Sequence, residues 1–458
     1  MQDDTIAAIA TPLGEGGIAI IRVSGPTAIA SVDSLFRGRR SLFQQKSFTL
    51  QYGELLDEEG RPLDEVLISV MRAPKSFTRE DVVEINIHGG IRLAERVLKL
   101  LLQRGVRLAE PGEFTLRAFL NGRIDLSQAE AVIDLIRAEN DHALRASAEQ
   151  LRGALRERIV AFREKLLYLM AEMEVHLDYP EHDEPEATYD KVGRSLRTLL
   201  GELEAMIDES RRTQVLREGL KTAIVGRPNV GKSSLLNMLA RRERAIVTDI
   251  PGTTRDVIEE IIVLAGIHLS LVDTAGLRET EDVVEKIGIE RSRQAIREAS
   301  LILAVFDRSH PLTLEDEALL RELAEFSQPL IYVLNKSDLP PVLHEEELLK
   351  YRQAPIVAVS ATAGTGEGDL EQVLLNLLGW GEISPDEARF VANERHLGLL
   401  QKSERSLRDA VRATLDRAPY DMILIDLRHA YAALGEMIGE AVDDDVIRAI
   451  FSNFCLGK

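Results

Sequence analysis

The sequence is poor in cysteine, in aromatic residues and in long apolar runs. Its 458 residues include one cysteine, Cys455, and 5% aromatic residues with a single tryptophan. One cysteine excludes an internal disulfide and fits a reducing compartment, so we expect a cytoplasmic protein. No stretch approaches the ~18 consecutive apolar residues of a membrane span. The opening residues carry no basic region before an apolar core, so we expect no secretory signal.

Basic residues are outnumbered by acidic residues, 56 against 76, which gives a net charge of −20. Bulk electrostatics therefore cannot hold the chain on nucleic acid, and the few aromatics argue against a stacking platform for single strands. An RNA partner would need a local basic surface that the total charge conceals. The apolar and charged fractions, 45% and 29%, are ordinary for a folded protein. The length predicts about three domains at ~150 residues per domain.

The composition and hydrophobic pattern of the chain change along its length, and these changes predict the domain organisation. Residues 1–120 mix short apolar runs with turns, which predicts a small α/β domain. Residues 121–218 are rich in Ala, Leu, Glu and Arg and predict long helices, and this texture returns over 379–458. Residues 219–378 alternate strand and helix patterns, as in a parallel α/β sheet. The fold class is therefore α/β and α multidomain, with a nucleotide domain inserted into a helical domain and its two ends close together.

Local patterns place several elements within these segments. Apolar runs predict strands over 17–23, 65–70 and 82–87, and helical spacing predicts a helix over 91–103. Further along, Ser127 and Glu130 fit a capping box at the start of the first long helix.

A phosphate-binding loop is the strongest local motif. Residues 226–233 read Gly-Arg-Pro-Asn-Val-Gly-Lys-Ser and match G-x-x-x-x-G-K-[ST]. A buried-strand pattern over 220–225 precedes the loop and a helical pattern over 234–240 follows, which disfavours a chance match. Loop amides would bind the phosphates, Lys232 would reach the β- and γ-phosphates, and the Ser233 hydroxyl would bind magnesium. The motif predicts a nucleoside triphosphatase.

Two later loops predict that the base is guanine. Asn335-Lys336-Ser337-Asp338 follows an apolar strand pattern and resembles the guanine-specificity motif of the GTPase superfamily. The Asp338 carboxylate could accept from both the ring N–H and the exocyclic amine, which adenine does not present together. Ser360 and Ala361 resemble the last guanine-contact loop. A merely polar strand-end turn is the alternative, and the position of the motif after the phosphate loop disfavours it. The predicted GTP-binding residues are Asn229, Val230, Gly231, Lys232, Ser233, Ser234, Thr248, Asp249, Ile250, Pro251, Gly252, Thr253, Thr254, Asp273, Thr274, Ala275, Gly276, Asn335, Lys336, Asp338, Ser360, Ala361 and Thr362.

The segments between these loops look like GTPase switches. Asp273 ends an apolar run and would reach magnesium through water, and Thr254 in a Gly-Thr-Thr stretch would close over the same ion. Leu277 stands where many small GTPases carry the glutamine that orients the attacking water. Four acids follow that could replace it, although most of them must simply be solvated charges: Glu279, Glu281, Asp282 and Glu285.

Signatures near both ends of the chain resemble one family. They are Ala-Thr-Pro at 10–12, Gly-Gly-Ile-Ala-Ile-Ile-Arg-Val-Ser-Gly at 16–25, His-Gly-Gly at 88–90, Pro-Gly-Glu-Phe-Thr-Leu-Arg-Ala-Phe-Leu-Asn-Gly-Arg at 111–123 and the terminal Phe-Cys-Leu-Gly-Lys at 454–458. In this order, and over this length, the sequence resembles the TrmE (MnmE) family of tRNA-modification GTPases.

The resemblance implies a fold and a function. It implies an N-terminal tetrahydrofolate-binding-like domain that forms a homodimer, a long-helix bundle and an inserted Ras-like P-loop GTPase domain. With the flavoprotein MnmG, in a heterotetramer or larger assembly, family members add an aminomethyl or carboxymethylaminomethyl group to carbon five of the wobble uridine of certain tRNAs. The implied one-carbon donor is 5-formyl-tetrahydrofolate or a related tetrahydrofolate. Hydrolysis of GTP is implied to need Mg²⁺ and K⁺.

The resemblance also implies roles for individual residues. The implied catalytic residue is Glu285, the magnesium ligands are Ser233 and Thr254, and the potassium ligands are Asn229, Thr248, Ile250 and Thr253. The implied folate-binding residues are Arg22, Glu84, Arg123 and Lys458, with Cys455 a candidate for lining the same site. At position 123 some relatives are expected to have lysine. The contact there therefore changes from the compact ammonium group of lysine to the planar, forked guanidinium of arginine.

Simpler readings of these residues stay open at this point. Arg22 and Glu84 could form a structural ion pair between strands, Lys458 could be a frayed terminus, and Cys455 could be a small buried hydrophobe. Two other functions also stay open. Several ribosome-maturation GTPases share these nucleotide motifs, although they usually attach a basic RNA-binding module, and a self-assembling structural GTPase would need no chemistry outside the nucleotide domain.

Overall fold

The computed structural model describes residues 4–138, 140–178, 185–240, 261–271, 296–380, 388–455 and 457–458. The chain forms two compact units. The first unit comprises residues 1–136, 150–195 and 405–458, and the second unit comprises residues 137–149 and 196–404. No helix among the described residues is both long enough and apolar enough to cross a bilayer.

A seven-stranded sheet forms the N-terminal part of the first unit. Its strands are β1 (Ile6–Ile9), β2 (Ile18–Ser24), β3 (Phe36–Gly38), β4 (Thr49–Leu56), β5 (Pro62–Met71), β6 (Val82–His88) and β7 (Arg107–Leu108). Their order is β3-β4-β5-β6-β2-β1-β7, and neighbours pair antiparallel except β1 with β7. The predicted strands near residues 17–23, 65–70 and 82–87 are confirmed as β2, β5 and β6.

The two faces of this sheet differ in polarity. Alternate residues of β2, β5 and β6, such as Ile21, Ile68 and Ile85, form one buried core, which α2 (Ile91–Gln103) covers with its apolar side. The opposite face leaves large apolar side chains in solvent: Leu50 is 62%, Tyr52 61% and Leu67 43% exposed. The predicted helix over 91–103 is confirmed.

Helices make up most of the remaining chain. They are α1 (Ala28–Asp33), α2, α3 (Glu113–Leu120), α4 (Leu126–Arg137), α5 (Asp141–Leu151), α6 (Ala154–Asp178), α7 (Pro185–Glu218), α8 (Lys232–Ala240), α9 (Leu314–Leu323), α10 (Glu345–Leu349), α11 (Glu367–Leu377), α12 (Glu394–Leu415), α13 (Tyr420–Met437) and α14 (Asp444–Ser452). In the first unit α6 packs against α13, where the Arg163 guanidinium lies 4.0 Å from the ring centroid of Tyr431 and donates to Glu440 Oε2 at 2.6 Å.

The start of α4 corrects one prediction. The capping box is formed by Asp125 and Gln128, not by Ser127 and Glu130. The Gln128 amide donates to Asp125 Oδ1 at 2.9 Å, and the Asp125 amide donates to Gln128 Oε1 at 3.0 Å. Ser127 lies inside the first turn, where its hydroxyl donates to the same carboxylate at 2.7 Å. Two overlapping patterns of capping residues were present, and the helix begins at the earlier one.

A six-stranded sheet forms the centre of the second unit. Its strands are β8 (Leu220–Val225), β9 (Ile261–Leu264), β10 (Ile267–Leu271), β11 (Leu301–Asp307), β12 (Leu330–Asn335) and β13 (Ile356–Ala358). The order is β13-β12-β11-β8-β10-β9, and every pair is parallel except β9 with β10. All seven residues of β11 are buried, as expected for a central strand covered on both faces. The carboxyl ends of the five parallel strands therefore meet at one edge, where ligands of such sheets bind.

The chain enters and leaves this sheet at neighbouring positions. The Ala392 amide donates to Thr213 Oγ1 at 3.3 Å, and Trp380 shares one core cluster with Leu216 and Leu220. The expectation that the two ends of the inserted segment lie together is confirmed.

Candidate functional site

The phosphate-loop motif lies between β8 and α8, at the carboxyl edge of the second-unit sheet. Gly231 has φ +97°, and a Cβ there would collide with the Asn335 side chain, so only glycine fits. Lys232 Nζ spans the loop and donates to the carbonyls of Gly226 and Arg227 at 2.7 and 2.9 Å. Ser233 and Ser234 are exposed in the first turn of α8. The loop thus presents backbone amides, an ammonium group and a hydroxyl at a helix start, which suits a phosphate with its magnesium ion.

The environment of Lys232 favours an anionic partner. Burial lowers the pKa of its ammonium group because desolvation disfavours the charged form. No acidic group among the described residues pairs with this half-buried cation, and a phosphate placed at the helix start would supply the negative charge.

The two predicted base-contact loops meet beside this loop. Asn335 ties them to it, since its Nδ2 donates to the Val230 carbonyl at 2.8 Å and its Oδ1 accepts from the Ala361 amide at 3.1 Å. Ser360 Oγ donates to Asp338 Oδ1 at 2.5 Å. Asp338 itself is exposed, and Thr362 beside it is exposed as well. One carboxylate oxygen is therefore oriented by the protein while the residue stays open to a base.

Lys336 is positioned by a residue that the sequence reasoning missed. Lys336 adopts φ +62°, and its Nζ donates to Asp307 Oδ2 at 2.6 Å at the end of β11. Burial raises the pKa of Asp307, but hydrogen bonds from Lys336 and Ser309 outweigh it and lower the pKa to about 2. The sequence did contain an indication of this role for Asp307, because it is the first polar residue after an apolar strand that ends at the ligand-binding edge.

Removing the Asp307 charge should destabilise the second unit in a pH-dependent way. The depressed pKa means that the pair stabilises the fold above the ordinary pKa of 3.8 and loses this effect as the pH falls toward about 2. We expect Asp307→Asn to lower the free energy of unfolding by ~1–3 kcal/mol at pH 7. The difference from the unaltered protein should shrink only between about pH 4 and pH 2.

The measurement is a urea titration followed through Trp380, the single tryptophan, which is buried in the core of this unit. The exposed Glu325 supplies the control variant, Glu325→Gln, which should leave the unfolding curve unchanged. A difference between Asp307→Asn and the unaltered protein that stays constant down to pH 2 would contradict the assignment.

Part of the predicted nucleotide site lies outside the described residues. This applies to the switch residues and the predicted catalytic acid: Thr248, Asp249, Ile250, Pro251, Gly252, Thr253, Thr254, Asp273, Thr274, Ala275, Gly276 and Glu285. Ser233 is consequently the predicted magnesium ligand, and Asn229 the predicted potassium ligand, for which the structure gives a position. Within the described ranges, no group of three or more His, Cys, Asp or Glu residues is arranged to hold a metal.

A second candidate site lies on the N-terminal sheet, where the ion pair between Arg22 and Glu84 is confirmed. The two residues face each other across β2 and β6, and Arg22 Nε donates to Glu84 Oε1 at 2.9 Å. The same guanidinium donates through Nη1 to the Gly457 carbonyl at 3.0 Å and lies 5.7 Å from the ring centroid of Phe114. The pair is therefore part of a larger arrangement that includes the C-terminal segment.

The C-terminal segment is docked rather than frayed. Gly457 has φ +87° and lies so close to the Ile9 carbonyl that a Cβ would collide with it. The Cys455 carbonyl accepts from the amides of Gly112 and Lys458 at 3.4 and 3.3 Å. Burial and the nearby Arg22 charge lower the pKa of Lys458, whereas Glu84 and Cys455 act in the opposite direction. Three of the four predicted folate residues are thus brought together.

Arg123 and Cys455 take different places around this arrangement. Arg123 donates through Nη1 to the Phe77 carbonyl at 2.9 Å, and its guanidinium lies 4.7 Å from the Phe77 ring centroid. Phe77 packs on the small cluster that contains Phe114. These two rings therefore lie between Arg123 and the Arg22–Glu84 pair. Cys455 is exposed, which contradicts the interpretation of this residue as a buried hydrophobe.

Comparison with known proteins identifies the family. The family model of the TrmE N-terminus matches residues 5–123, and that of the MnmE helical domain matches residues 126–455. The tRNA modification GTPase MnmE of Geobacillus thermodenitrificans is 49% identical over 99% of both chains. That of Bacillus subtilis is 48% identical over 99% of this chain and 100% of its own. Among solved structures, the G domain of the FeoB iron transporter from T. maritima is 28% identical over 34% of this chain and 98% of its own, with a TM-score of 0.27. The matches to both family models and to full-length relatives show that the chain belongs to the MnmE (TrmE) family of tRNA modification GTPases.

Proposed function

We propose that this GTPase hydrolyses GTP in a potassium-dependent manner and, together with MnmG, modifies carbon five of the wobble uridine in certain tRNAs. The group added is aminomethyl or carboxymethylaminomethyl, and its carbon comes from a tetrahydrofolate. The observation that carries the proposal is the docking of Gly457 and Lys458 onto the Arg22–Glu84 pair. A ribosome-maturation GTPase or a self-assembling GTPase would have no use for such a site.

The residues around this pair fit a reduced folate. The cations Arg22 and Lys458 suit the carboxylates of the glutamate tail, and Glu84 can accept from the N–H edge of a pterin. The half-buried Phe77 ring beside Arg123 offers an apolar surface for the aromatic part of the ligand. 5-Formyl-tetrahydrofolate or a relative, when bound, would supply the one-carbon unit. The chain's own residues bind and orient it.

The open face of the N-terminal sheet supports a homodimer. Leu50, Tyr52 and Leu67 lie on the same face as Arg22 and Glu84, and each is at least 43% exposed. Burying such a patch against a second copy would remove apolar surface from water beside the proposed folate site. We also propose the four-segment division at residues 120, 218 and 378, magnesium binding by Ser233 with Thr254, and a cytoplasmic location.

Folate binding can be tested by equilibrium dialysis with 5-formyl-tetrahydrofolate. We expect the unaltered protein to bind it and Lys458→Ala to bind it ~10-fold or more weakly, because a charge-assisted hydrogen bond contributes ~1.5–3 kcal/mol. Lys99→Ala removes an exposed lysine on α2 and should bind normally. Absence of binding by the unaltered protein would overturn the folate part of the proposal.

Potassium dependence can be tested at Asn229, which is exposed in the phosphate loop with φ +65°. No arginine finger is evident in the motifs, so a bound cation must offset charge in the transition state. We expect faster hydrolysis in KCl than in NaCl, and we expect Asn229→Ala to lose that difference. Alanine is strained at this φ, so Asn229→Gly is the better variant, because glycine keeps the backbone and removes only the amide. Equal rates of the unaltered protein in both salts would refute potassium dependence.

A further inference from the structure

A stretch of the N-terminal sheet departs from the acidic character of the chain. From Ser34 to Gly53 the sequence has four basic residues and no acidic one, although the whole chain carries a net charge of −20. The basic residues are Arg37, Arg39, Arg40 and Lys46. They lie on β3, one of the two edge strands of the sheet, and on the connection from β3 to β4, and all four residues are exposed. We call residues 37–48 the edge loop.

The edge loop also holds aromatic rings in solvent. Phe43 is 59% and Phe48 65% exposed. Across the residues that the structure describes, the only other exposed aromatic side chains are Tyr52, on the following strand, and Tyr168 on α6. Phe48 has φ +60°, which is unfavourable for a bulky side chain, so the backbone is strained where it presents this ring.

The loop that carries these rings is fixed by polar contacts, most of them buried or half-buried. Arg72 Nη2 donates to the carbonyls of Leu42, Phe43 and Gln45 at 3.1, 2.9 and 3.3 Å. Gln45 Nε2 donates to the Thr49 and Ile68 carbonyls at 2.6 and 3.0 Å. Local polar groups therefore order the backbone, and the exposed phenylalanines are not the result of a loose segment.

Most of the positive charge of the loop is not neutralised within the protein. Arg37 pairs with Glu54 at 3.4 Å, but Arg39, Arg40 and Lys46 have no acidic partner among the residues that the structure describes. The Arg72 guanidinium adds a further charge beneath the loop. Both carboxylate oxygens of Asp33 accept hydrogen bonds from the loop itself, one from Ser41 Oγ at 3.0 Å and the other from the Leu42 amide. The surface is thus a net cationic patch.

We infer that the edge loop binds the single-stranded loop of an RNA hairpin. Exposed aromatic rings stack on unpaired bases, and neighbouring arginines and lysines neutralise the phosphates that connect them. A self-complementary contact with a second copy is disfavoured, because it would place these cations against themselves. The inference rests on the proposed function, in which the substrate is tRNA and the modified uridine lies in an unpaired loop.

The test measures binding of a fluorescent 17-nucleotide anticodon stem-loop to the full-length protein at several salt concentrations. Arg39→Ala/Arg40→Ala/Lys46→Ala should weaken binding about tenfold or more at low salt and lower the salt slope by ~2, at ~0.7 per phosphate contact. Phe43→Ala/Phe48→Gly should weaken binding about tenfold without changing the slope. Glycine is used at position 48 because it relieves the positive φ and so does not endanger folding.

Matched controls distinguish an effect of the edge loop from the general effect of removing an exposed cation or ring. Arg92→Ala on α2 and Tyr168→Ala on α6 remove a comparably exposed cation and ring elsewhere, and both should bind the hairpin normally. A blunt duplex with the same number of phosphates should bind more weakly than the hairpin and should not respond to Phe43→Ala/Phe48→Gly.

Three results would overturn the inference: no binding by the unaltered protein, hairpin affinity unchanged in both variants, or a shift of the monomer–dimer equilibrium with RNA affinity intact. Potassium-stimulated GTP hydrolysis is measured without RNA, so the proposed function is tested separately.

Discussion

Replacing Glu285 by alanine is expected to lower single-turnover GTP hydrolysis by ~100-fold or more while leaving GTP affinity and folding intact. Leu277 cannot orient the attacking water, so an acid from the segment after Asp273-Thr274-Ala275-Gly276 must do so. The resemblance to the family implies that Glu285 is the catalytic glutamate, and this residue directly precedes the helical pattern Lys286-Ile287-Gly288-Ile289-Glu290. Closure of the segment on nucleotide binding would bring its carboxylate to the water, directly or through a second water.

The matched control is Glu281→Ala in the same segment, measured beside Glu285→Ala in saturating potassium. A solvated glutamate near a helix start contributes only ~0.3–1 kcal/mol to stability and nothing to the reaction. Glu281→Ala should therefore hydrolyse GTP at nearly the normal rate. Equal, small effects of the two substitutions would end the assignment of Glu285.

Asp338→Asn is expected to weaken GTP binding by about 10–100-fold and to admit xanthosine triphosphate. The carboxylate is predicted to accept two hydrogen bonds from guanine, and leaving each partner unpaired costs ~1–3 kcal/mol. Xanthine carries a carbonyl where guanine has its amine, so an amide donor restores one of those bonds. The hydrogen bond from Ser360 at 2.5 Å holds the side chain in place for this exchange.

Ser337→Ala is the natural control for this substitution. Ser337 is part of the same motif, but its amide donates to the Val359 carbonyl at 3.0 Å, so alanine preserves the backbone. GTP affinity should hardly change in that variant. Competition binding with GTP and xanthosine triphosphate measures both effects, and unchanged GTP binding by Asp338→Asn would show that another residue selects the base.

Local sequence patterns were sufficient to predict a strand or helix where a short segment carries its own structural information. The strand over 220–225 and the helix over 91–103 match the prediction because burial periodicity and flanking turns are encoded within each segment. The phosphate loop and its neighbouring helix were predictable for the same reason. At α4 the patterns were ambiguous, since Asp125/Gln128 and Ser127/Glu130 both fit a capping box, and nothing local decides between them.

Most contacts between distant segments were not predictable from residue patterns, the Arg22–Glu84 pair between β2 and β6 being an exception. The ion pair of Asp307 with Lys336 depends on β11 and β12 being neighbours. The position of Lys458 depends on the docking of the C-terminal segment, where Arg22 of β2 donates a hydrogen bond to the Gly457 carbonyl. The cationic, aromatic character of the edge loop was concealed by averages over 458 residues. The roles of Glu285 and of the switch residues rest on the sequence, and they stay predictions.

The discontinuity of the first unit has a consequence for biosynthesis. Arg22 and Gly457, joined by one hydrogen bond, are 435 positions apart. Residues 405–458 leave the ribosome after residues 196–404, so the second unit can fold while the first still lacks its final segment. At ~5–20 residues per second, the early part of the first unit waits for roughly 13–50 s. During this interval the strands around Arg22 depend on their own core or on chaperones, and the maturation rate should respond to translation speed.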